Sequence, residues 1–253
     1  MDLDKQVPFR FHAGGHAFSA QFHRPVPLFV EAQASASLPT IGGHARARVE
    51  NFRAHHIVSF RSAHTHVSGS WEDHDTVTTN STTTIEGLNI LDVITADRIV
   101  ARLSAVYKRG QASKRESHIV AVGSHFDNLR IAGHEVKVIL RHDLFLKCPA
   151  YSDLLSYIAR DKESGKKSGT EGEVAVCSLV EKIETDIPGL VRDGHILHVP
   201  HFGEISVAEV LAVPGTRTLT MLQLKLGSPD CGLGTVCEAM NEGQPPPPPF
   251  GKP

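Results

Sequence analysis

Aromatic residues are scarce in this chain. Phe, Trp and Tyr together make up 6% of the 253 residues, with one Trp and three Tyr. This shortage argues against an aromatic sugar-binding platform and against base stacking on single-stranded nucleic acid. A basic excess is also lacking, since Lys plus Arg is 26 and Asp plus Glu is 28. The composition therefore predicts no nucleic-acid partner.

Long apolar segments are lacking as well. No apolar run approaches the 18 residues of a transmembrane helix, so we expect no membrane span. The segment from Met1 to Phe11 (MDLDKQVPFRF) has no apolar h-region and does not resemble a signal peptide. Taken alone, this segment predicts a cytoplasmic location or export by another route.

Motifs of known chemistry are missing too. The sequence contains no GxSxG, no HExxH, no phosphate-cradling glycine loop and no CxxC. The sequence therefore identifies no catalytic residue and no cofactor-binding residue, and it favours a protein that is not an enzyme. A zinc ribbon is not expected either, because it needs paired cysteines at short spacing.

The few cysteines leave two alternatives open. Cys231 and Cys237 bracket a short Gly-rich loop, and Cys148 and Cys177 bracket a charged segment. Two disulfides would close these loops and point to an oxidising compartment. Four thiols in a reduced protein are the other alternative, slightly favoured by the missing signal peptide.

What the sequence does contain is β patterning. Ala45, Ala47 and Val49 alternate with charged residues, and Thr76–Thr84 is almost all Thr, which favours strands over helices. Only Ser152–Arg160 has an apolar stripe of helical period. We predict an all-β fold, an antiparallel β-sandwich or flattened barrel, with one short helical insertion at about 148–172.

Composition also predicts how the chain is divided. Residues 1–37 are predicted as an extended arm, 38–240 as the β domain and 241–253 as a Pro-rich tail. The arm carries five phenylalanines that an isolated segment cannot bury, namely Phe9, Phe11, Phe18, Phe22 and Phe29. We expect the arm to dock on its own β core or on a neighbouring subunit, the second being favoured.

Sixteen histidines dominate the titration of the chain. Full protonation would change the net charge from −2 to +14. His64 and His66 share one face of a strand because they are two residues apart. With His74 as third ligand, or with Asp73, Asp75 or Glu72, they would form a site for zinc or another divalent transition metal. The alternative, which we favour, is that these histidines are solvated on a polar face.

A second histidine group, His195, His198 and His201, precedes Glu204. Spacing of three on a strand points His198 away from the other two, so one regular strand cannot direct all three at one ion. Pro200 could change the local direction. The simpler interpretation is that these side chains flank the strand that carries Ile196 and Val199.

Several short segments, taken in order, resemble the choice-of-anchor P family, a group of bacterial β-rich proteins. The matching segments between about residues 38 and 240 are Leu38-Pro39, Gly42-Gly43, the Thr-rich run, Gly87-Leu88, Ile94–Val100, Gly123-Ser124, Leu129–Gly133, Gly203–Val207 and Leu219–Met221. The resemblance implies a secreted or surface-displayed protein and carries no activity. The chain departs from the family in its histidine content, and from this sequence we expect neither a signal peptide nor an anchor.

These observations lead to a functional hypothesis. We expect a non-enzymatic structural or interaction protein that forms homo-oligomers through β surfaces and the N-terminal arm. The alternative is a histidine-rich metal-binding protein or metalloenzyme on the same scaffold, with His64, His66 and His74 as ligands.

Overall fold

The computed structural model describes residues 9–23, 27–108, 116–163, 169–171, 174–227 and 232–242. Strands dominate these residues. In chain order the elements are β1 (His12–Phe22), β2 (Leu28–Gln33), β3 (Ala36–Ser37), β4 (Gly43–Ala54), β5 (Val58–Trp71), β6 (Thr76–Ile90), β7 (Ile94–Lys108), β8 (His118–Val120), β9 (His125–Asp127), β10 (Arg130–Ile131), β11 (His134–Glu135), β12 (Lys137–Leu140), α1 (Leu144–Lys147), α2 (Tyr151–Glu163), β13 (Gly169–Glu171), β14 (Val174–Ser178), β15 (Val180–Glu184), β16 (Val191–Asp193), β17 (Ile196–Val199), β18 (Gly203–Val213), β19 (Thr216–Leu226) and β20 (Gly232–Glu242).

Two antiparallel sheets pack face to face. The larger sheet has the order β13-β14-β18-β19-β20-β1-β2, with β3, β16 and β17 at its margins. The smaller sheet has the order β11-β10-β7-β6-β5-β4, with β8 and β9 also paired to β7. A short ribbon of β12 and β15 completes the described strands. The predicted all-β sandwich is therefore confirmed.

The longer helix lies where the sequence placed the insertion, at about 148–172, whereas the short helix α1 precedes it and was not predicted. Helix α2 covers the predicted Ser152–Arg160 segment, and its Leu154 and Ile158 are 0% and 2% exposed. The Asp153 carboxylate accepts a hydrogen bond from the backbone N–H of Ala150 at 3.1 Å. This bond satisfies a donor just ahead of the first turn, where the helix itself provides no acceptor. No described helix is long and apolar enough to span a membrane.

The Thr-rich strand β6 directs hydroxyl side chains to both faces of the smaller sheet. On its inner side, the Ser81 hydroxyl donates to the carbonyl of Gly14 at 2.6 Å, and the Thr83 hydroxyl donates to the carbonyl of Glu238 at 2.8 Å. Both acceptors belong to the larger sheet. Threonine thus provides the β-branched side chain that a strand favours and a hydrogen bond for an otherwise buried hydroxyl.

The interface between the sheets is the hydrophobic core. Ile85, Ile99 and Leu103 point inward from the smaller sheet, and Leu219 and Leu222 belong to the same buried cluster; all five are fully buried. Period-2 alternation on β6 and β7 places every second side chain in this layer. The opposite face of the smaller sheet is left to polar residues.

The N-terminal segment is part of this fold. Strand β1 is an interior strand that pairs with β20 on one side and with β2 on the other. The rings of Phe9, Phe11, Phe18 and Phe22 are 8%, 2%, 0% and 4% exposed, whereas Phe29 is 70% exposed. Most of the predicted arm thus docks on its own core, because Phe18 and Phe22 lie on an interior strand and Phe9 and Phe11, just before it, pack in a second apolar cluster. Of the predicted Pro-rich tail, 241–253, the first two residues belong to β20, and the remainder lies outside the described residues.

Three of the four cysteines are described. Cys148, Cys177 and Cys237 are buried thiols. A disulfide between Cys148 and Cys177 is therefore not formed in this structure, and for this pair the thiol alternative holds. Cys231 lies outside the described residues, so the predicted bridge to Cys237 stays untested.

Candidate binding face of the smaller sheet

The histidines singled out from the sequence lie on the outer face of β5. His64 and His66 are exposed, while the intervening Thr65 and the flanking Ala63 and Val67 are buried. Their spacing of two residues directs both imidazoles to the same side of the sheet, as the alternation predicts. The structure therefore brings these two side chains together.

His74 is placed elsewhere. It lies in the turn that joins β5 to β6, beyond the pair formed by Trp71 and Val77. Trp71 is already five residues from His66, which corresponds to about 17 Å along a strand. His74 therefore cannot share an ion with His66 in this structure.

The acidic residues of the same turn have local partners. The Asp73 carboxylate accepts hydrogen bonds from the backbone N–H groups of Asp75 and Thr76 at 2.8 and 2.7 Å, and these bonds lower its pKa. Glu72 accepts a bond from the Thr78 hydroxyl at 2.5 Å. These bonds shape the turn and hold two of the carboxylates proposed as third ligands.

Two imidazoles without a third ligand do not make a metal centre. Across the described residues, no group of three or more His, Cys, Asp or Glu is arranged to hold an ion. The metal-binding alternative remains a prediction, and total metal per chain after purification without a histidine tag tests it.

The neighbours of His64 and His66 are basic. In the pairing of β4 with β5, Arg46 lies opposite His66 and Arg48 lies opposite His64. Across β6, Thr82 separates His66 from Arg102 on β7. We call the surface formed by Arg46, Arg48, His64, His66 and Arg102 the arginine–histidine face.

A groove lies on this face. It has a volume of about 560 Å³ and is lined by Arg46, Ala47, Arg48, Ser62, His64, Thr65, His66 and Glu86. Its one acidic lining residue, Glu86, accepts hydrogen bonds from the hydroxyl of Ser62 at 2.9 Å and from Arg61 at 3.3 Å. The bond from Ser62 and the bond and charge of Arg61 hold the pKa of Glu86 below its usual value.

The electrostatic environment of His64 reflects these neighbours. Partial burial is the largest influence and lowers the pKa of His64; the carboxylate of Glu86 opposes it. The charges of Arg98, Arg48 and His66 lower the pKa further. His64 therefore lies at a point where positive charge already accumulates, and its neutral form is favoured.

The second histidine group does not converge. His195 is 5% exposed, with its Nε2 3.3 Å from Glu209. His198 pairs with Glu204 at 3.8 Å, and His201 lies in the turn before β18 with a φ of 60°. Each histidine thus has its own environment, and the simpler interpretation of this group agrees with the structure.

The sequence analysis did not identify one hydrogen-bonded group of polar side chains around His16. On the outer face of the larger sheet, His16 Nε2 lies 3.1 Å from Ser19 Oγ and 3.0 Å from Thr235 Oγ1, and its Nδ1 lies 3.5 Å from Glu238. The connectivity is that of a hydroxyl, a base and a carboxylate. The backbone groups around it belong to the β1–β20 ladder, so they do not form an oxyanion hole. We interpret it as a hydrogen-bonded link between the two strands, invisible in a sequence that separates its members by more than 200 positions.

A second groove, of about 400 Å³, lies near β11 and β15. His134 Nδ1 is 2.9 Å from the Asp186 carboxylate, and the lining mixes both charges, with Glu135, Lys137 and Glu184 beside them. The mixture gives no preference for a ligand of one sign. The arginine–histidine face is therefore the better candidate for binding.

Comparison with known proteins adds a family. The family model described as "Domain of unknown function (DUF8256)" matches residues 9–164 and 155–213, together most of the chain. No curated protein and no solved structure gives a significant match. Because these matched residues span β1 to β18 and include the arginine–histidine face, the chain belongs to the DUF8256 family of domains of unknown function.

Proposed function

We propose that this protein is a non-enzymatic interaction protein that self-associates through the side of the sandwich formed by β2 and β4. The observation that carries the proposal is the incomplete burial of β4. A strand with an apolar inner side and no strand beyond it is a surface that a second copy can complete.

Strand β4 ends the smaller sheet. It runs for 12 residues and its recorded strand partner is β5. Strand β2 ends the larger sheet, and the two lie against each other on the same side of the sandwich. Among the described strands, both sheets therefore end on the same side of the molecule.

The inner side of β4 is not covered as the other inner sides are. Ala45, Ala47, Val49 and Phe52 are only half-buried, in contrast to Ala63 on β5, which is 0% exposed. Strands β2 and β3 of the larger sheet contact β4 but leave these side chains partly exposed. Burying such apolar area would contribute about 25 cal/mol per Å² to an association.

Two large apolar side chains stand beside this edge. Phe29 on β2 is 70% exposed, and Ile41, just before β4, is 89% exposed. Exposed apolar residues that cluster at an edge mark a contact more often than isolated ones do. Arg46, Arg48 and Arg53 on β4 oppose indiscriminate pairing, since like charges would meet when strands associate. We therefore expect a selective contact that tightens as salt screens these arginines.

Sedimentation velocity across a range of protein concentrations tests this proposal. The wild type should show a reversible increase in mass, and Val49→Lys or Ile41→Lys should remain monomeric with an unchanged circular dichroism spectrum. Val191→Lys is the matched control, because Val191 is 63% exposed on β16, away from β2 and β4. A monomeric wild type at high concentration, or equal loss of mass in the control, would contradict the proposal.

A further inference from the structure

We infer that the arginine–histidine face binds a linear, phosphate-bearing polyanion. This inference goes beyond self-association, because it concerns the outer face of the smaller sheet rather than its edge. It rests on the arrangement of the basic side chains, on the position of the acids and on the chemistry of the donor groups.

The basic groups follow the lattice of the sheet. Arg46, His66 and Arg102 lie in one cross-strand row, with Thr82 between the last two. Neighbouring strands are about 4.8 Å apart, so Arg46 and Arg102 are about 14 Å apart at their backbones. Arg48 and His64 form the next row, about 7 Å along the strands. The array is longer than a single phosphate and matches an extended chain of anionic groups.

The acidic residues near this array lie outside its two rows and already have partners. Glu50 and Glu86 lie one row further along, beside Ser62. Glu50 pairs with Arg48 at 2.5 Å, and Glu86 is held by Ser62 and Arg61. Within the described part of the chain, no carboxylate lies in ion-pair contact with Arg46 or Arg102. The charges of Arg46 and Arg102, which no described carboxylate neutralises, produce a potential that attracts an anionic chain.

Phosphate suits these side chains better than other anions. The planar guanidinium of arginine donates two parallel hydrogen bonds to phosphate oxygens, and imidazole and hydroxyl groups add single donors. Thr82 provides such a hydroxyl beside His66, whereas the Ser62 hydroxyl already donates to Glu86. No Phe, Tyr or Trp side chain lies in the two rows, so the large rings on which bases stack best are missing there. The geometry thus favours the phosphate chain itself over a nucleic acid.

Binding should be coupled to protonation. His64 is faced by Arg48 on β4, His66 on its own strand, Glu86 on β6 and Arg98 on β7. A bound polyanion would stabilise the imidazolium and raise the low pKa of His64, so that a proton is taken up on binding. Affinity should therefore rise as pH falls, by up to about tenfold per pH unit for each proton taken up.

Titration with inorganic polyphosphate, followed by calorimetry, tests this inference. The wild type should bind long-chain polyphosphate more tightly than tripolyphosphate, and more tightly at about pH 6 than at about pH 8. The double variant Arg46→Gln/Arg102→Gln should raise the Kd at least about tenfold, a loss of about 1.4 kcal/mol. Lys182→Gln is the control, since this lysine is 61% exposed on β15, outside the smaller sheet.

Further variants and competing polyanions distinguish phosphate-chain binding from self-association and from nonspecific attraction to anions. His64→Gln/His66→Gln should flatten the pH dependence, and Val49→Lys should bind as the wild type does, even if self-association fails. Polyglutamate and single-stranded DNA of matched charge should bind more weakly. The inference is overturned if the wild type does not bind polyphosphate, if Lys182→Gln weakens binding as much as the arginine variants, or if either competitor binds as tightly.

Discussion

Truncating Asn241 should weaken the junction between the two sheets. Asn241 lies on β20 of the larger sheet and is 0% exposed. Its Oδ1 accepts a hydrogen bond from the Thr79 hydroxyl at 2.6 Å, and its Nδ2 donates to the carbonyls of Thr79 and Leu103 at 3.1 and 3.4 Å. One side chain thus ties β20 to both β6 and β7.

The cost of Asn241→Ala follows from these three bonds. Each intramolecular hydrogen bond contributes about 1 kcal/mol net, and the groups left buried without a partner add to the loss. We expect the free energy of unfolding to fall by about 3 kcal/mol. For a chain of this size, that fall corresponds to a melting temperature lower by about 6–12 °C.

Urea denaturation measures this change, with Asn89→Ala as the control. Asn89 also lies on β6 and its side-chain amide donates to Asp92 at 2.7 Å, but this bond is exposed. The control should therefore lose under about 1 kcal/mol. If the two variants are equally stable, hydrogen bonds between the sheets do not contribute as we reason.

Four other predictions follow from the same packing. Gly15→Ala should cost about 1–3 kcal/mol in chemical denaturation, because an added Cβ would lie 2.5 Å from the carbonyl oxygen of Glu238 on β20 and 2.6 Å from the Thr83 hydroxyl of the facing sheet. Full stability would show that these neighbours can shift to make room for a methyl group. Cys237, whose pKa is raised by complete burial, should react with a thiol reagent only after unfolding, and rapid labelling of the native protein would contradict this. Because the folded state lowers the pKa of His64 below 6.5, it binds fewer protons there than the unfolded chain. The free energy of unfolding should thus fall as pH drops through about 6.5, and His64→Gln should reduce that slope in urea melts; an unchanged slope would count against it. Arg217→Met should destabilise the fold by about 2–4 kcal/mol in thermal melts. The Arg217 side chain is 2% exposed, donates to the carbonyls of Val213 and Thr216 at 2.7 and 2.9 Å, and pairs with Glu116 at 3.5 Å. Wild-type stability of the variant would show that these contacts contribute little.

The sequence by itself determined the fold class and part of the site. Alternation in β4 and the Thr-rich run of β6 specify strands with one polar side, because side chains on a strand point to opposite faces in turn. The same period places His64 and His66 on one face. The helical period of Leu154 and Ile158 likewise identified α2.

Only the tertiary structure decided which segments meet. The strand pairing sets Arg46, Arg48 and Arg102 around the two histidines and leaves His74 at the far end of a hairpin, and no local pattern encodes that register. The burial of Phe18 on β1 depends on pairing with β20, more than 200 residues away. Periodicity reports which face a side chain occupies, whereas its neighbours on that face depend on the order and register of strands that are distant in the chain.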